Sequence, residues 1–246
     1  MRILTKKRVV ISIVSILFIA ILGMGVWFTN SYAPDEQALD ALNGNSEITV
    51  SDTADYIYFN PNSALSKGIV FYPGAKVAPE AYNVLALEIA KHHIPVVIVK
   101  MPLNFAIFDI NKADAIKSKL GISQDWVLMG HSLGGSMAAK YLYDHPESFS
   151  GIIFLASYSA SDLSQANIDV LSIWGTKDAF VTQEKIEATK DKLPAGSIFQ
   201  SVEGGNHSQF GNYGFQNGDN EADIDSSEQR SIIVDAIVTF MTDIIK

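Results

Sequence analysis

An apolar run that breaks off at a glycine-rich turn limits the folds open to this chain. Residues 126–129 are apolar, and Gly130-His131-Ser132-Leu133-Gly134-Gly135 follows them at once. Small residues in the spacing Gly-x-Ser-x-Gly let a buried strand reverse into a helix while the serine is held in a strained backbone conformation. We therefore predict a strand, a sharp turn that exposes the Ser132 hydroxyl, and a helix over residues 136–143.

The amino-acid composition limits the classes of protein and the kinds of site that are possible for this chain. Of the 246 residues, 48% are hydrophobic and 18% are charged, which suits one globular domain with an apolar segment at one end. The absence of cysteine excludes disulfides, thiolate metal sites and a cysteine nucleophile. The net charge is −9 although no acid precedes Asp35, so the remainder is strongly acidic and binding to nucleic acid is not expected.

The N-terminal segment has the pattern of a membrane anchor. Residues 9–28 carry no charge, and the segment before them, 1–8, is basic. The run has the length of a bilayer-spanning helix, and its basic flank is expected in the cytoplasm. We predict a signal-anchor helix over 9–28, a tether or short surface helix over 29–46 and an extracellular domain over 47–246. A cleaved signal peptide is the alternative, since Ser31-Tyr32-Ala33 resembles a cleavage site, but the run exceeds the usual length of about 7–15 residues.

Short apolar runs alternate with helix-like runs from residue 47 onward. Two β-forming runs, 47–50 and 56–59, predict a hairpin at one edge of a sheet. The later strands lack a polar side, as is typical of strands covered on both faces. They are predicted at residues 68–72, 95–100, 126–129, 151–155, 169–174 and 197–202, with further helices at 80–91, 111–120, 183–193 and 228–245. This order predicts a doubly wound α/β fold with a mostly parallel sheet and helices on both faces.

Three chemically active residues follow predicted strands. Ser132, Asp178 and His207 would lie at the carboxyl ends of parallel strands, where such sheets place their chemistry, and in the expected chain order. A serine hydroxyl is a weak nucleophile until a base takes its proton. We assign that role to His207, with Asp178 holding the imidazole in the correct tautomer. Asp162, in the loop after another strand, remains an alternative acid.

The turns that contain Ser132, Asp178 and His207 resemble those of the α/β-hydrolase superfamily. The resemblance covers roughly Tyr56 to the C-terminus. The similarity lies in Gly-His-Ser-Leu-Gly-Gly, in the Trp-Gly-Thr-Lys-Asp turn and in the Gly-Asn-His loop. Residues 72–75, Tyr-Pro-Gly-Ala, and residues 207–214 are similar to a compact, lidless branch that is often membrane-anchored in Gram-positive bacteria. Members of that branch are mostly inferred hydrolases, so the resemblance implies the chemistry without a substrate.

Two backbone amides are predicted to form an oxyanion hole. The N–H of Leu133, which follows the nucleophile, is the first. The second belongs to the loop after Tyr72, where Pro-Gly-Ala-Lys replaces the His-Gly dipeptide commoner in the superfamily. We place it on the Ala75 amide, with Lys76 as the alternative.

A further loop, residues 101–108, stays apolar where a polar loop would be typical. It either packs in the core or lines an acyl pocket beside the elbow. The residues predicted to line a substrate pocket are Lys76, Leu103, Phe105 and His131. Residues 156–168 leave room for only a short connection, which predicts an open site without a helical cap.

The other histidines and a cluster of acids receive structural roles. Three histidines stand at predicted helix ends, where a polar ring suits the last carbonyl groups: His92, His93 and His145. Four acids near the C-terminus lack the spacing of a calcium loop and are predicted to be solvated: Asp219, Glu221, Asp223 and Asp225. No metal or other cofactor is predicted.

These patterns favour a membrane-anchored, extracytoplasmic serine hydrolase that cleaves carboxylic esters through an acyl-enzyme. Its partners would be a small-molecule or cell-envelope acyl ester and, through the N-terminal helix, the membrane. An acyltransferase or peptidase would use the same residues. A non-catalytic binding module with this fold is a third possibility, against which the intact serine, acid and histidine argue. The oligomeric state stays open.

Overall fold

The computed structural model describes residues 11–16, 18–19, 25, 30–123 and 125–243. The chain divides into two units, Met1–Ser31 and Tyr32–Lys246. In the first unit the described residues before position 30 are helical. The described residues form no helix that is both long and apolar enough to cross a bilayer. The predicted basic segment 1–8 and most of the predicted span 9–28 lie outside the described residues.

The second unit is built on one sheet of eight strands in the order β1-β2-β4-β3-β5-β6-β7-β8. The strands are β1 Ile48–Asp52, β2 Tyr56–Pro61, β3 Ile69–Tyr72, β4 Val96–Val99, β5 Val127–His131, β6 Gly151–Leu155, β7 Asp169–Gly175 and β8 Ile198–Val202. β1 and β2 form the predicted antiparallel hairpin at one edge, and β2 also runs antiparallel to β4. The neighbours from β4 to β8 are parallel.

Helices cover both faces of this sheet. They are α1 Glu36–Asp40, α2 Asn83–Ala90, α3 Lys112–Leu120, α4 Leu133–Asp144, α5 Gln183–Thr189 and α6 Ser226–Asp243. Phe71 of β3 belongs to the core cluster that includes residues of α2 and α6, whereas the next residue, Tyr72, belongs to the cluster that includes α3 and α4. This alternation is what strands buried on both faces require. The predicted doubly wound α/β fold is confirmed.

The parallel strands end along a common edge. Tyr72 of β3 pairs with Gly130 of β5, and His131 pairs with Leu155 of β6. Leu155 in turn pairs with Ile173, close to the end of β7. The loops that follow these strands therefore meet at one edge of the sheet, and they carry the candidate catalytic residues.

The segment predicted as a tether, 29–46, packs against the domain from residue 32 onward. The Tyr32 N–H donates to the Lys76 carbonyl at 2.6 Å. Asp35 caps α1, accepting the Ala38 N–H at 2.8 Å, and Ala38 is fully buried. This short helix with a buried face therefore lies within the compact unit that runs from Tyr32 to Lys246.

Helix ends also differ from the predictions. α4 begins at Leu133, directly at the turn, three residues before its predicted start. α6 begins at Ser226, two residues before its predicted start, and the Asp225 carboxylate caps it by accepting the Glu228 N–H at 2.8 Å.

Candidate active site

Ser132 occupies the turn between β5 and α4 with φ 52° and ψ −125°. A residue with a side chain in this region stores backbone strain, which is common at reactive positions. A methyl group on Gly130 would lie 2.5 Å from the backbone of Gly135, so strand and helix cross where only glycine fits. The predicted strand, strained serine and helix are confirmed.

The loop after β6 holds the elbow in place. The Ser132 N–H donates to the Leu155 carbonyl at 3.0 Å, and the Ser157 hydroxyl donates to the Ser132 carbonyl at 2.6 Å. The Ser136 hydroxyl donates to the Tyr158 carbonyl at 2.9 Å. These bonds fix the backbone of the turn and leave the Ser132 side chain half-buried at its apex.

Asp178 and His207 form a buried, hydrogen-bonded pair. Asp178 Oδ2 lies 2.8 Å from His207 Nδ1, and the two side chains are 0% and 1% exposed. The other carboxylate oxygen, Oδ1, accepts the N–H groups of Phe180 and Val181, each at 2.7 Å. Because Oδ1 is occupied, the carboxylate presents Oδ2 to the ring. An imidazole held at Nδ1 in this way has Nε2 as the nitrogen that can accept a proton.

The alternative acid, Asp162, lies in a different environment. It is exposed, and its carboxylate accepts the Ser164 N–H at 3.0 Å. Hydrogen bonding by Ser164 lowers the pKa of Asp162. The structure therefore joins His207 to Asp178 and gives Asp162 a local role in its own loop.

Asp219, for which the sequence predicts a solvated position, instead links the loops of Asp178 and His207. Its Oδ2 accepts the N–H and the hydroxyl of Ser208, at 2.8 and 2.6 Å. Its Oδ1 accepts the Ala179 N–H at 3.2 Å. No local pattern signals this role, since the partners are 11 and 40 residues away.

Two of the other three acids in that cluster contact other groups. Asp223 pairs with Lys177 at 2.9 Å, and Asp225 is the cap of α6. Within the described part of the chain, no three histidine, aspartate or glutamate side chains are placed to hold a metal ion.

The two predicted oxyanion donors lie on neighbouring segments. Leu133 is the first residue of α4, where an amide has no partner within the helix. A methyl group on Gly134 would lie 2.2 Å from the Tyr72 carbonyl oxygen, so the end of β3 adjoins the elbow. The Lys76 N–H donates to the Asn104 carbonyl at 2.9 Å and is thereby occupied. No hydrogen bond of the Ala75 N–H occurs among the described residues, so Ala75 keeps a donor available.

A cavity of about 210 Å³ adjoins Ser132 and Leu133. Its other lining residues are Ser136, Ser157, Tyr158, Phe180 and Val181. They come from α4 and from the loops after β6 and β7. The sequence did not single out these lining residues, and only the placement of Phe180 and Val181 just after Asp178 could have indicated them.

The predicted pocket residues Lys76, Leu103, Phe105 and His131 do not line this cavity. The strand order explains why Lys76, Leu103 and Phe105 do not line the cavity. β3 and β4 lie on one side of β5, whereas the cavity opens on the other side, towards β6 and β7. In the apolar loop Phe105 is buried, and Leu103 is 50% exposed.

His131 is fully buried beneath the elbow. Its Nδ1 lies 2.8 Å from the Tyr82 hydroxyl, and its ring centroid lies 4.6 Å from that of His207. Burial first, and the His207 ring second, lower the pKa of His131 well below 6.5. The ring is therefore neutral in the folded protein.

Stability should fall below about pH 6.5 because of His131. The unfolded chain binds a proton there near pH ~6.5, whereas the folded chain does so only at a much lower pH. Since the folded-state pKa is depressed, the contribution is complete above pH ~6.5 and declines by at most about 1.4 kcal/mol per pH unit as the pH falls. Urea unfolding at about pH 7.5 and about pH 5.5 measures it. His131→Asn should show a smaller pH dependence than the parent, and an equal one would contradict the assignment.

The three remaining histidines lie outside the cavity. His92 and His93 are exposed at the end of α2, and His145 stacks on Tyr141 with ring centroids 4.7 Å apart.

A doubly wound sheet with a serine on a strained turn after β5, and a buried aspartate–histidine pair at the same edge, has the architecture of a hydrolase. The chain belongs to the α/β hydrolase family, whose sequence profile matches residues 68–231, more than half of its length. Among curated protein sequences, none matches it significantly.

Solved structures show the same fold. A predicted CIB-like hydrolase from Thermoplasma acidophilum is 20% identical, with a TM-score of 0.55 over 78% of this chain and 97% of that one. A monoacylglycerol lipase from Paleococcus ferrophilus is 14% identical, with a TM-score of 0.60 over 78% and 99%. The carboxylesterase CesB from Bacillus subtilis is 14% identical, with a TM-score of 0.59 over 88% and 98%.

Proposed function

We propose that the protein is a membrane-anchored, extracytoplasmic serine hydrolase that cleaves carboxylic esters through an acyl-enzyme. The buried Asp178–His207 pair, which lies at the same edge of the sheet as the strained elbow, is the observation that supports this proposal. Phe180 connects the two parts, since its ring lies 5.0 Å from that of His207 and lines the cavity at Ser132. An oriented imidazole at the same edge of the sheet as an elbow serine is the arrangement expected of a base that turns the hydroxyl into a nucleophile.

The reaction follows from these groups. Ser132 Oγ attacks the acyl carbon of the ester while His207 accepts its proton. The carbonyl electron pair moves onto oxygen, where the Leu133 and Ala75 amides stabilise the charge. The C–O bond to the alcohol then breaks, the alcohol takes the proton from His207, and the acyl group stays on Ser132. Water repeats the sequence and releases the acid, and these steps need no cofactor.

The cavity supports a small acyl group as the substrate. A cavity of about 210 Å³ holds a short chain, and its walls combine the rings of Tyr158 and Phe180 with the serines Ser136 and Ser157. The connection from β6 to β7, residues 156–168, contains no helix, so no helical cap comes from this connection. Ester cleavage is favoured because the carboxylesterase and the monoacylglycerol lipase share the fold. The substrate is thus a small-molecule or cell-envelope acyl ester.

The N-terminal sequence supports the location. A charge-free run, 9–28, after a basic segment is the pattern of a single-pass anchor whose N-terminus stays in the cytoplasm. The unit Tyr32–Lys246 would then face the exterior.

A fluorophosphonate probe tests both parts of this proposal. The full chain in detergent should gain one phosphonyl group on intact-mass analysis, because an activated Ser132 displaces fluoride from phosphorus. In intact cells a charged, membrane-impermeant form of the probe should label the chain equally well. Ser132→Ala should not react, and His207→Ala should react far more slowly.

The labelling results distinguish the catalytic activity of the protein from the location of its domain. A folded parent that stays unlabelled would favour the non-catalytic binding module. Labelling in detergent or lysed cells, but not in intact cells, would support the hydrolase activity. It would also show that the domain faces the cytoplasm, which contradicts the proposed location.

A further inference from the structure

Tyr82 connects the loop of a predicted oxyanion donor to the strand that carries the elbow. It ends the short 3-10 helix Pro79–Tyr82 and is 0% exposed. Its hydroxyl oxygen accepts the Gly74 N–H at 3.1 Å and lies 2.8 Å from His131 Nδ1. Gly74 directly precedes Ala75, and His131 directly precedes Ser132. One hydroxyl group therefore bridges the two segments that must form the site.

The contact requires a glycine at position 74. A methyl group there would lie 2.7 Å from His131 Nδ1 and 2.9 Å from the Tyr82 hydroxyl oxygen. Real side chains do not approach each other so closely, so any larger residue would push the loop away from Tyr82. The glycine in Tyr-Pro-Gly-Ala is thus explained by this close approach.

His131 extends the connection to His207. The two ring centroids are 4.6 Å apart, and on another side His131 stacks on Phe210 at 5.7 Å. The same stretch also reaches the histidine loop through the backbone, since the Asn212 N–H donates to the Ala81 carbonyl at 2.6 Å. Both ends of the candidate machinery, oxyanion loop and base, therefore rest on these two side chains.

Tyr82 and His131 are both uncharged in the folded protein. Burial raises the pKa of Tyr82, and burial together with the His207 ring lowers the pKa of His131. The hydroxyl keeps its proton and the imidazole is neutral. With the ring proton on Nε2, Nδ1 is the acceptor, and the Tyr82 hydroxyl, which accepts the Gly74 N–H, donates to it.

We infer that Tyr82 and His131 are positioning residues, which hold the Ala75 amide and the His207 ring in the geometry that ester cleavage needs. This rests on the proposed function. Neither side chain lines the cavity at Ser132, so they act through the groups they hold and not on the substrate. Oxyanion donors lose much of their effect when they move by a fraction of an ångström, and the Gly74–Tyr82–His131 bonds restrain that movement.

Tyr82→Phe in the full chain tests the inference, with an ester and the matching thionoester as substrates. The variant keeps the ring, which packs edge-on against Phe71 at 4.7 Å, and removes the hydroxyl alone. We expect kcat for the ester to fall roughly 10- to 100-fold, less than the 10²–10³ lost with a whole donor, and KM to change little. The thionoester should lose less, because a sulfur anion gains less from N–H donors. The ester-to-thionoester ratio of kcat/KM should therefore fall.

Variants at His131 provide a second test of the positioning role, and Tyr141→Phe provides a matched control. His131→Phe removes the acceptor and should lower the same ratio, whereas His131→Asn keeps an acceptor near Nδ1 and should stay closer to the parent. Tyr141→Phe is the control, since Tyr141 is also 0% exposed and its hydroxyl bonds to Asp114 at 2.6 Å, outside the site. It should keep the parent's ratio.

The readout separates this inference from the proposed function. If the parent cleaves the ester and the ratio in Tyr82→Phe and His131→Phe equals that of the parent, the positioning role is wrong while the hydrolase stands. A parent that cleaves neither substrate and takes no phosphonate overturns both.

Discussion

Replacing Asp178 by asparagine should lower kcat for ester cleavage by about 10⁴-fold with little change in KM. Asn Oδ1 can still accept the Phe180 and Val181 amides, so the loop keeps its bonds. The amide nitrogen then faces His207 Nδ1, which must become an acceptor and place its proton on Nε2. A ring in that tautomer cannot accept the proton of Ser132. Steady-state kinetics on a short-chain ester, beside thermal unfolding to confirm the fold, measures the loss.

Asp162→Asn is the matched control for this change. Asp162 is exposed, and its carboxylate accepts the Ser164 N–H in its own loop, so its variant should keep the parent's kcat. If Asp162→Asn lost activity and Asp178→Asn kept it, the assignment of the acid would be reversed.

Replacing Gly134 by alanine should damage both stability and catalysis. The added methyl group would lie 2.2 Å from the Tyr72 carbonyl oxygen and 2.3 Å from that of Pro73. Both are backbone atoms, so α4 must move away from the end of β3. We expect a loss of about 1–3 kcal/mol in the free energy of unfolding. The displaced Leu133 amide should lower kcat/KM by roughly 100-fold in the folded fraction.

Gly196→Ala provides the comparison, since no heavy atom lies within 4 Å of the added methyl group. Its unfolding free energy should stay within about 0.5 kcal/mol of the parent, and its kcat/KM should not change. Urea unfolding and kinetics on the three proteins decide the matter. Parent-like behaviour of Gly134→Ala would show that the elbow does not depend on this close approach.

The candidate residues differ in how far the sequence could predict them. Ser132 sits in a pattern of six consecutive residues, and the glycines of that pattern are required by contacts within and next to the turn. Asp178 and His207 follow apolar runs in the chain order expected for this architecture. All three could be proposed from the sequence because their signals are local: a strand, its end and the residue that follows.

Residues whose roles depend on distant partners left no such signal. Asp219 joins two loops, one of them 40 residues earlier, and Tyr82 meets His131 across 49 positions. An acid in a polar loop and a tyrosine beside an apolar helix are common and have no specific spacing. The sequence therefore predicts a solvated Asp219 and contains no signal that distinguishes Tyr82.

The residues that line the cavity were also beyond prediction from local sequence patterns. The apolar loop 101–108 follows a strand at the correct edge of the sheet, which made it a reasonable pocket wall. The sheet places β4 beyond β3, however, two positions from β5, while β6 and β7 lie on the open side of Ser132. Periodicity along a chain reports which residues form strands, but it carries no information on the order in which the strands pair.

The sequence by itself determined the α/β class and the serine elbow, and it indicated the candidate acids and the candidate histidine that follow later strands. Each of these depends on neighbouring residues, through side-chain size, backbone freedom and hydrophobic pattern. Only the tertiary structure decided which acid meets His207, which amide beside the elbow keeps its donor, on which side the cavity opens and what holds His131. These depend on strand order and on contacts between distant segments, which form only when the whole sheet has assembled.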